Sequence, residues 1–224
     1  LREKYRLKKL LLSSCLLGII IFISASYSVL SNHSNPSNKK QNSSLIPSNQ
    51  LDLQNGDLIF RKGRSIESQI VLLSDGNSDY SHVGIIYLKD GNPLVIHSVP
   101  AENGEEHEFI KLESVEDFLK KDKAVQFAVF RLEDSLINST KAASEFAYNC
   151  YLNKFRFDNQ YDLNSDTKLY CTELIWKAYQ QIGIDLVQNR LHDINFFVIN
   201  KRMIMPSSIL ESKYLKLVHS NYSL

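Results

Sequence analysis

The longest apolar run in the chain is Leu10 to Leu30, LLLSSCLLGIIIFISASYSVL, 21 residues long. An α-helix needs roughly 20 residues to cross a bilayer, so this run has the length of a membrane span. It gives way at Ser31 to a Ser-, Asn- and Pro-rich stretch ending at Gln50, too polar to bury a core. From Leu51 onward the pattern becomes one of short alternating or helical segments. Asn55-Gly56 predicts a turn feeding a strand over Asp57 to Phe60. Ile66, Ile70 and Leu73 fall at spacings of four and three, which predicts a helix over Ser65 to Leu73, capped by Ser65 and packed beside a sheet. His82 to Leu88 and Leu94 to Ser98 are rich in β-branched residues and flank Lys89-Asp90-Gly91-Asn92, a hairpin. A short helix is expected over Ser114 to Lys120 and a strand over Ala124 to Leu132.

Two further helices follow. Ser139 to Leu152 puts Ala142, Ala143, Phe146, Ala147 and Cys150 on one face. Leu169 to Ile182 does the same with Cys171, Ile175, Ala178 and Ile182 and is closed by Gly183. Met203 to Leu210 is apolar around Pro206 and begins another strand or helix. The order is α+β: an antiparallel sheet packed with helices, without alternating βαβ units. The pattern divides the chain into a signal anchor or signal peptide over 1–30, a linker over 31–50 and one folded domain over 51–224.

Charge sharpens the N-terminal reading. Arg2, Lys4, Arg6, Lys8 and Lys9 precede the apolar run, which predicts a cytoplasmic N-terminus with the domain outside the cytoplasmic membrane, or periplasmic or secreted if the segment is cleaved near Ser24 to Ser26. A lipoprotein signal at Cys15 fits poorly, because most of the apolar residues follow that cysteine instead of preceding it. The formal net charge of +1 hides no basic surplus that would ask for nucleic acid.

Candidate chemistry gathers at Cys171 and His82. Cys171 falls in the first turn of its helix, where unpaired N–H groups and the macrodipole favour a thiolate. A thiol near its free pKa of about 8.5 still needs a base, and His82, on a strand packed against that helix, is the candidate. The imidazole needs an orienting partner; His97, an Asp or a Glu on the adjacent strand can supply one, and His97 is a cross-strand neighbour. Blander readings stand beside this one. Cys171 can be a buried hydrophobe or pair with Cys150, Gly56 and Gly84 can serve close packing, and Asp57 can satisfy nearby backbone N–H groups. His82, His97 and Cys171 are also competent zinc ligands, but the chain has no HExxH and no CxxC.

NGDLIF at 55–60, SHVGI at 81–85, VIHS at 95–98, FDNQYDLN at 157–164 and YCTELIWKAY at 170–179 together resemble the permuted papain-like amidases of the YiiX-like group, relatives of NlpC-type cell-wall peptidases. The likeness runs from about Leu51 to Gly183. It implies a circularly permuted papain-like fold in which the base precedes the nucleophile, with Cys171 as nucleophile, His82 as base, His97 in the third polar position and Tyr170 lining the substrate site. Many relatives carry Glu in that third position, so a Cys-His-His site departs from the pattern and brings no fixed negative charge. The implied activity is acyl transfer from an amide or ester to water, without a cofactor, on cell-wall peptide or an acylated amino compound. The competing class is a membrane-tethered binding module that keeps the fold without catalysis.

Overall fold

The computed structural model describes residues 44–100, 108–133, 139–196 and 199–222. Strands β1 (Leu58–Gly63), β2 (His82–Lys89), β3 (Asn92–His97), β4 (Lys111–Ser114), β5 (Ala124–Leu132) and β8 (Leu215–Ser220) form one antiparallel sheet in the order β4-β3-β2-β1-β5-β8. A separate two-stranded ribbon pairs β6 (His192–Phe196) with β7 (Ile199–Met203). The helices are α1 (Ile66–Asp75), α2 (Val115–Phe118), α3 (Thr140–Leu152), α4 (Cys171–Gln180) and α5 (Pro206–Leu210).

Strand side chains alternate between two cores. Leu58, Phe60, Val83, Ile85 and Ile96 enter the first, where they meet Ala143, Ala147 and Cys150 of α3 and Leu174, Ile175, Ala178 and Tyr179 of α4. Ile59, Ile86, Val95, Phe127 and Val129 enter the second, which is covered by Leu51 and Leu53, Val115 and Phe118 of α2, and Leu119. Every buried sheet position thus has an apolar partner on its own side.

The turn at NGDLIF is structural. Gly56 has φ +84°, and a Cβ there would stand 2.5 Å from the Thr140 Cβ. Buried Asp57 accepts hydrogen bonds from the Gln54 N–H and, through both oxygens, from the Arg131 guanidinium at 2.8 Å. The reading of Asp57 as a satisfier of backbone N–H groups holds, with an arginine added.

The structure corrects three expectations. Residues 44–50 belong to the domain instead of the linker: Ser44 bridges to Lys120, and Leu45 and Ile46 pack against the second core. Their polar neighbours masked two apolar residues that the sheet face needs. Helix α1 forms where its spacing predicts it, with Ser65 accepting from the Ser68 N–H and left-handed Gly76 ending it. Its apolar face, however, points away from the sheet: Ile66 is 77% exposed, Ile70 39% and Leu73 81%, and Asp75 is the helix's one buried residue. Finally, β4, β6, β7 and β8 add strands where the sequence reading had placed none. The apolar run 10–30 and the polar residues 31–43 lie outside the described residues. Among the described residues no helix is long and apolar enough to cross a membrane.

Candidate active site

His82 opens β2 and His97 closes β3. The two strands pair from Lys89↔Asn92 to Ile85↔Ile96, and one further step sets Gly84 opposite His97. The glycine is needed there, since a Cβ would meet Val95 Cγ1 at 2.4 Å and His97 Cβ at 3.2 Å. With Gly84 across from it, His97 lies diagonally beside His82, and His82 Nε2 comes to 2.9 Å from His97 Nδ1. The ring of Phe118 lies below both imidazoles, at 5.7 Å from His82 and 5.1 Å from His97. Arg61 stacks on the same ring at 4.4 Å and donates from Nη1 to the Phe118 carbonyl at 2.7 Å.

The chain of polar contacts continues on β4. His97 Nε2 lies 3.0 Å from Glu113 Oε1, and Lys123 Nζ lies 3.1 Å from Glu113 Oε2. Burial alone would raise the Glu113 carboxyl; the hydrogen bond and charge of His97, reinforced by Lys123, overrule it and hold the group at about 2. Glu113 is therefore a carboxylate at any ordinary pH. His82 is held well below its usual value, first by burial and then by the positive field of Arg61, His97 and Lys123. It is a neutral imidazole at pH 7.

Cys171 is the first residue of α4, after Tyr170 in extended conformation. The helix packs on β2. Beyond the paired stretch of β2 and β3, the backbone amides of Val83, Thr172 and Cys171 itself lie close enough to the Cys171 sulfur to favour its anion. The sulfur so meets the sheet edge-on, next to the residue that carries the imidazole. His82 shares the strand face of Ile86, the side of the second core, whereas α4 covers the first. Sulfur and ring approach the end of the sheet from its two sides, and both line one cleft of about 510 Å³.

Burial works against the expected thiolate. It is the largest influence on Cys171 and pushes its thiol up to about 11, against the three backbone amides and the positive charge of Arg61. The helix start does favour the anion, but a desolvated sulfur costs more than the local amides return. Cys150 is pushed to about 11 by its own burial, and both are free thiols, unpaired with each other.

Tyr170 lines the cleft with its ring, which meets the Tyr161 ring edge-on at 5.4 Å between centroids. Its hydroxyl is turned away to accept from the Ile204 N–H at 2.9 Å, while Thr172 Oγ1 donates to the Ile204 carbonyl at 2.7 Å. This clamp builds the cleft wall Met203 to Pro206 directly onto the start of α4. Ser98 Oγ donates to the Leu169 carbonyl at 2.5 Å, so the end of β3 is tied to the residues that lead into Cys171. Tyr161 reaches the cleft; Asp162 serves its own turn by accepting from Asn164.

His82, Cys171 and Tyr170 are thus brought to one cleft, with His97 behind His82. Glu113, Lys123, Phe118 and Arg61 were missed by sequence reasoning. A signal for Glu113 existed in KLES, where Leu112 and Glu113 alternate as in a strand, but four residues without a turn signal are too few to stand out. Among the described residues no group of three His, Cys, Asp or Glu side chains is arranged to hold a metal ion.

A protein from Escherichia coli K12, carried under the name uncharacterized protein YiiX, is 27% identical over 138 residues, 60% of this chain and 61% of that protein. The chain therefore spans somewhat less than two thirds of that relative's length. The crystal structure described as metalloprotein YiiX from Escherichia coli O157:H7 superposes with a TM-score of 0.63 at 20% identity, covering 77% of this chain and all of that one. At that identity the likeness shows the fold. Residues 52–219 match the family model of permuted papain-like amidase enzymes, YaeF/YiiX, C92 family, and the chain belongs to that family.

Proposed function

We propose that the domain is a cysteine hydrolase that cleaves an amide or ester by acyl transfer through Cys171, with His82 as general base and His97 and Glu113 as positioning residues. The observation that carries this reading is the unbroken polar chain Glu113–His97–His82 ending in the cleft where the Cys171 sulfur sits against Val83.

Proton bookkeeping follows from the fixed carboxylate. Glu113 can only accept, so His97 carries a proton on Nε2; in the form of His97 that bears only that proton, Nδ1 accepts and His82 donates from Nε2. That leaves His82 Nδ1 as the basic nitrogen. The missing negative charge of a Cys-His-His site is supplied one residue further out. At rest both partners are neutral. Catalytic hydrogen bonds commonly tighten only once substrate is bound. Attack then proceeds with transfer of the thiol proton to His82 Nδ1 and formation of the S–C bond. His82 returns the proton to the leaving group as the C–N or C–O bond breaks; water, deprotonated by His82, then attacks the acyl carbon, the C–S bond breaks, and His82 returns that proton to the sulfur as the acid leaves. Backbone N–H groups at the start of α4 stand where an oxyanion forms.

The family and the expected membrane segment support a cell-envelope peptide or an acylated amino compound as substrate, met outside the cytoplasm. The metal named for the YiiX structure does not fit this donor set. Both nitrogens of His97 and one of His82 are already engaged, so no step is routed through a metal. The protonated thiol favours one rival, a binding module that keeps the fold without turnover. Incubation with purified wall fragments and with acylated amino acids, followed by mass spectrometry, separates the two. Cleavage that disappears in Cys171→Ala supports the hydrolase; binding without release in both proteins supports the module.

A further inference from the structure

Among the described residues seven large hydrophobics are exposed, and five of them, Ile66, Ile70, Leu73, Val125 and Tyr222, belong to one end of the sheet. The register places them there. Helix α1 leaves β1 after Gly63 and Arg64, Gly63 lies opposite Ala124, and Asn221 is bonded to Phe127 just beyond β8. On α1 itself Ile66, Ile70 and Leu73 form a single stripe along one side of the helix. The helix is held to the fold by its C-terminal Asp75, which accepts from the Ser207 N–H at 2.9 Å and from the Ser207 hydroxyl. Ser65, Ser68 and Val71, off that stripe, line the cleft that holds Cys171. An apolar stripe of this kind, unpartnered by the fold and bordered by polar residues, marks an interaction surface.

The entry point of the chain says what covers it. The chain enters the described domain at this same end: Ser44 bridges to Lys120, and the Arg64 N–H donates to the Lys123 carbonyl across the turn that follows. Only 13 residues, 31–43, separate Ser44 from the membrane-length run ending at Leu30. They reach at most about 45 Å when fully extended. Charge at this end is mixed, with Lys62, Arg64 and Lys121 set beside exposed Glu67, Asp79 and Asp122.

We propose that α1 lies on the surface of a phospholipid bilayer, the one that receives Leu10 to Leu30, with Ile66, Ile70 and Leu73 at the acyl boundary and the cleft mouth at headgroup level. This assignment rests on the exposed stripe and the entry point of the chain and is independent of the hydrolase reading. It does require the apolar run to insert.

The test uses the full chain mixed with vesicles of phosphatidylcholine and phosphatidylglycerol. Trp176, the chain's one tryptophan, is replaced by Trp176→Phe, and a reporter is placed by Leu73→Trp or, as a control on another surface, Leu152→Trp. Docking shifts the emission of the residue-73 reporter to the blue and quenches it with lipids brominated near the headgroup end, and leaves the residue-152 reporter unchanged. Three results overturn the proposal. One is a chain that stays in solution. Another is a vesicle-bound chain whose residue-73 reporter is unquenched by bromolipid and open to aqueous iodide. The third is a reporter shielded from iodide yet unquenched by bromolipid, which assigns the stripe to protein, either the chain's own apolar run or a second copy.

Discussion

Two glutamates, Glu113 partly buried on the sheet and Glu173 fully buried on the helix that starts at Cys171, behave in opposite ways. On the sheet side, Glu113 touches His97 and Lys123, and its carboxyl is held at about 2. On the helix side, two residues after Cys171, Glu173 has Lys177 at 3.0 Å, yet burial pushes its carboxyl up to about 7. Lys177 is shared, because its ammonium also donates to the Ser165 carbonyl at 2.6 Å. Identical side chains thus end some five pH units apart, according to whether neighbouring cations outweigh desolvation. The sheet side is built to keep one permanent negative charge at the far end of two imidazoles. The helix side disfavours charge, and the Cys171 thiol at about 11 shares that environment.

The largest effect that would break this contrast is on turnover. His97→Phe removes the link between the carboxylate and His82, and kcat is expected to fall about 10³-fold, within the range general-base catalysis supplies, with KM little changed. A wild-type kcat in this variant would show that the chain of imidazoles is only packing. Glu113→Gln keeps the shape and removes the charge; kcat should fall about 100-fold, with Glu113→Asp recovering part of it. Stability gives the variant a second signature. Because Glu113 is depressed in the fold, its contribution is present above the ordinary carboxyl range near 4.5 and is lost as pH falls from there through about 2. The melting temperature of wild type should drop over that window more steeply than that of Glu113→Gln.

Glu173 sharpens the comparison from the other side. Its folded pKa is raised, so its favourable contribution is present below about 4.5 and is lost as pH rises through about 7. Glu173→Gln should therefore melt higher than wild type at pH 8, by the equivalent of about 1–3 kcal/mol, and show little difference at pH 5. A smaller loss is expected at the wall. Tyr170→Phe leaves the buried Ile204 N–H without its acceptor, which costs about 1–3 kcal/mol and loosens the cleft, read as a lower melting temperature and a raised KM.

How much of this was legible in the sequence differs by region. Strand β5, the β2–β3 hairpin and helices α3 and α4 follow from spacing and turn residues, because their apolar faces are long and unambiguous. Helix α1 was found, but its facing was not, since spacing shows that a stripe exists and not what lies opposite it. At the site, Cys171, His82 and His97 were readable as a helix start and two neighbouring strands. Glu113 was not, because its strand is four residues long and its role depends on a diagonal across the β3–β4 register. The burial that opposes the thiolate was not readable for a related reason: helix position is a local property, whereas burial of the sulfur is fixed only by the fold around it.

The central claim is that the Cys171 thiol gives its proton to His82 as the acyl bond forms. The direct measurement is the rate at which an activated ester acylates Cys171 at pH 7, followed by intact mass and peptide mapping in wild type, His82→Ala and His82→Ala with added imidazole. The account predicts an adduct on Cys171 in wild type, formation slower by about 10²- to 10⁴-fold in the variant, and partial recovery with imidazole. Acylation of Cys171 at the wild-type rate in His82→Ala would contradict it.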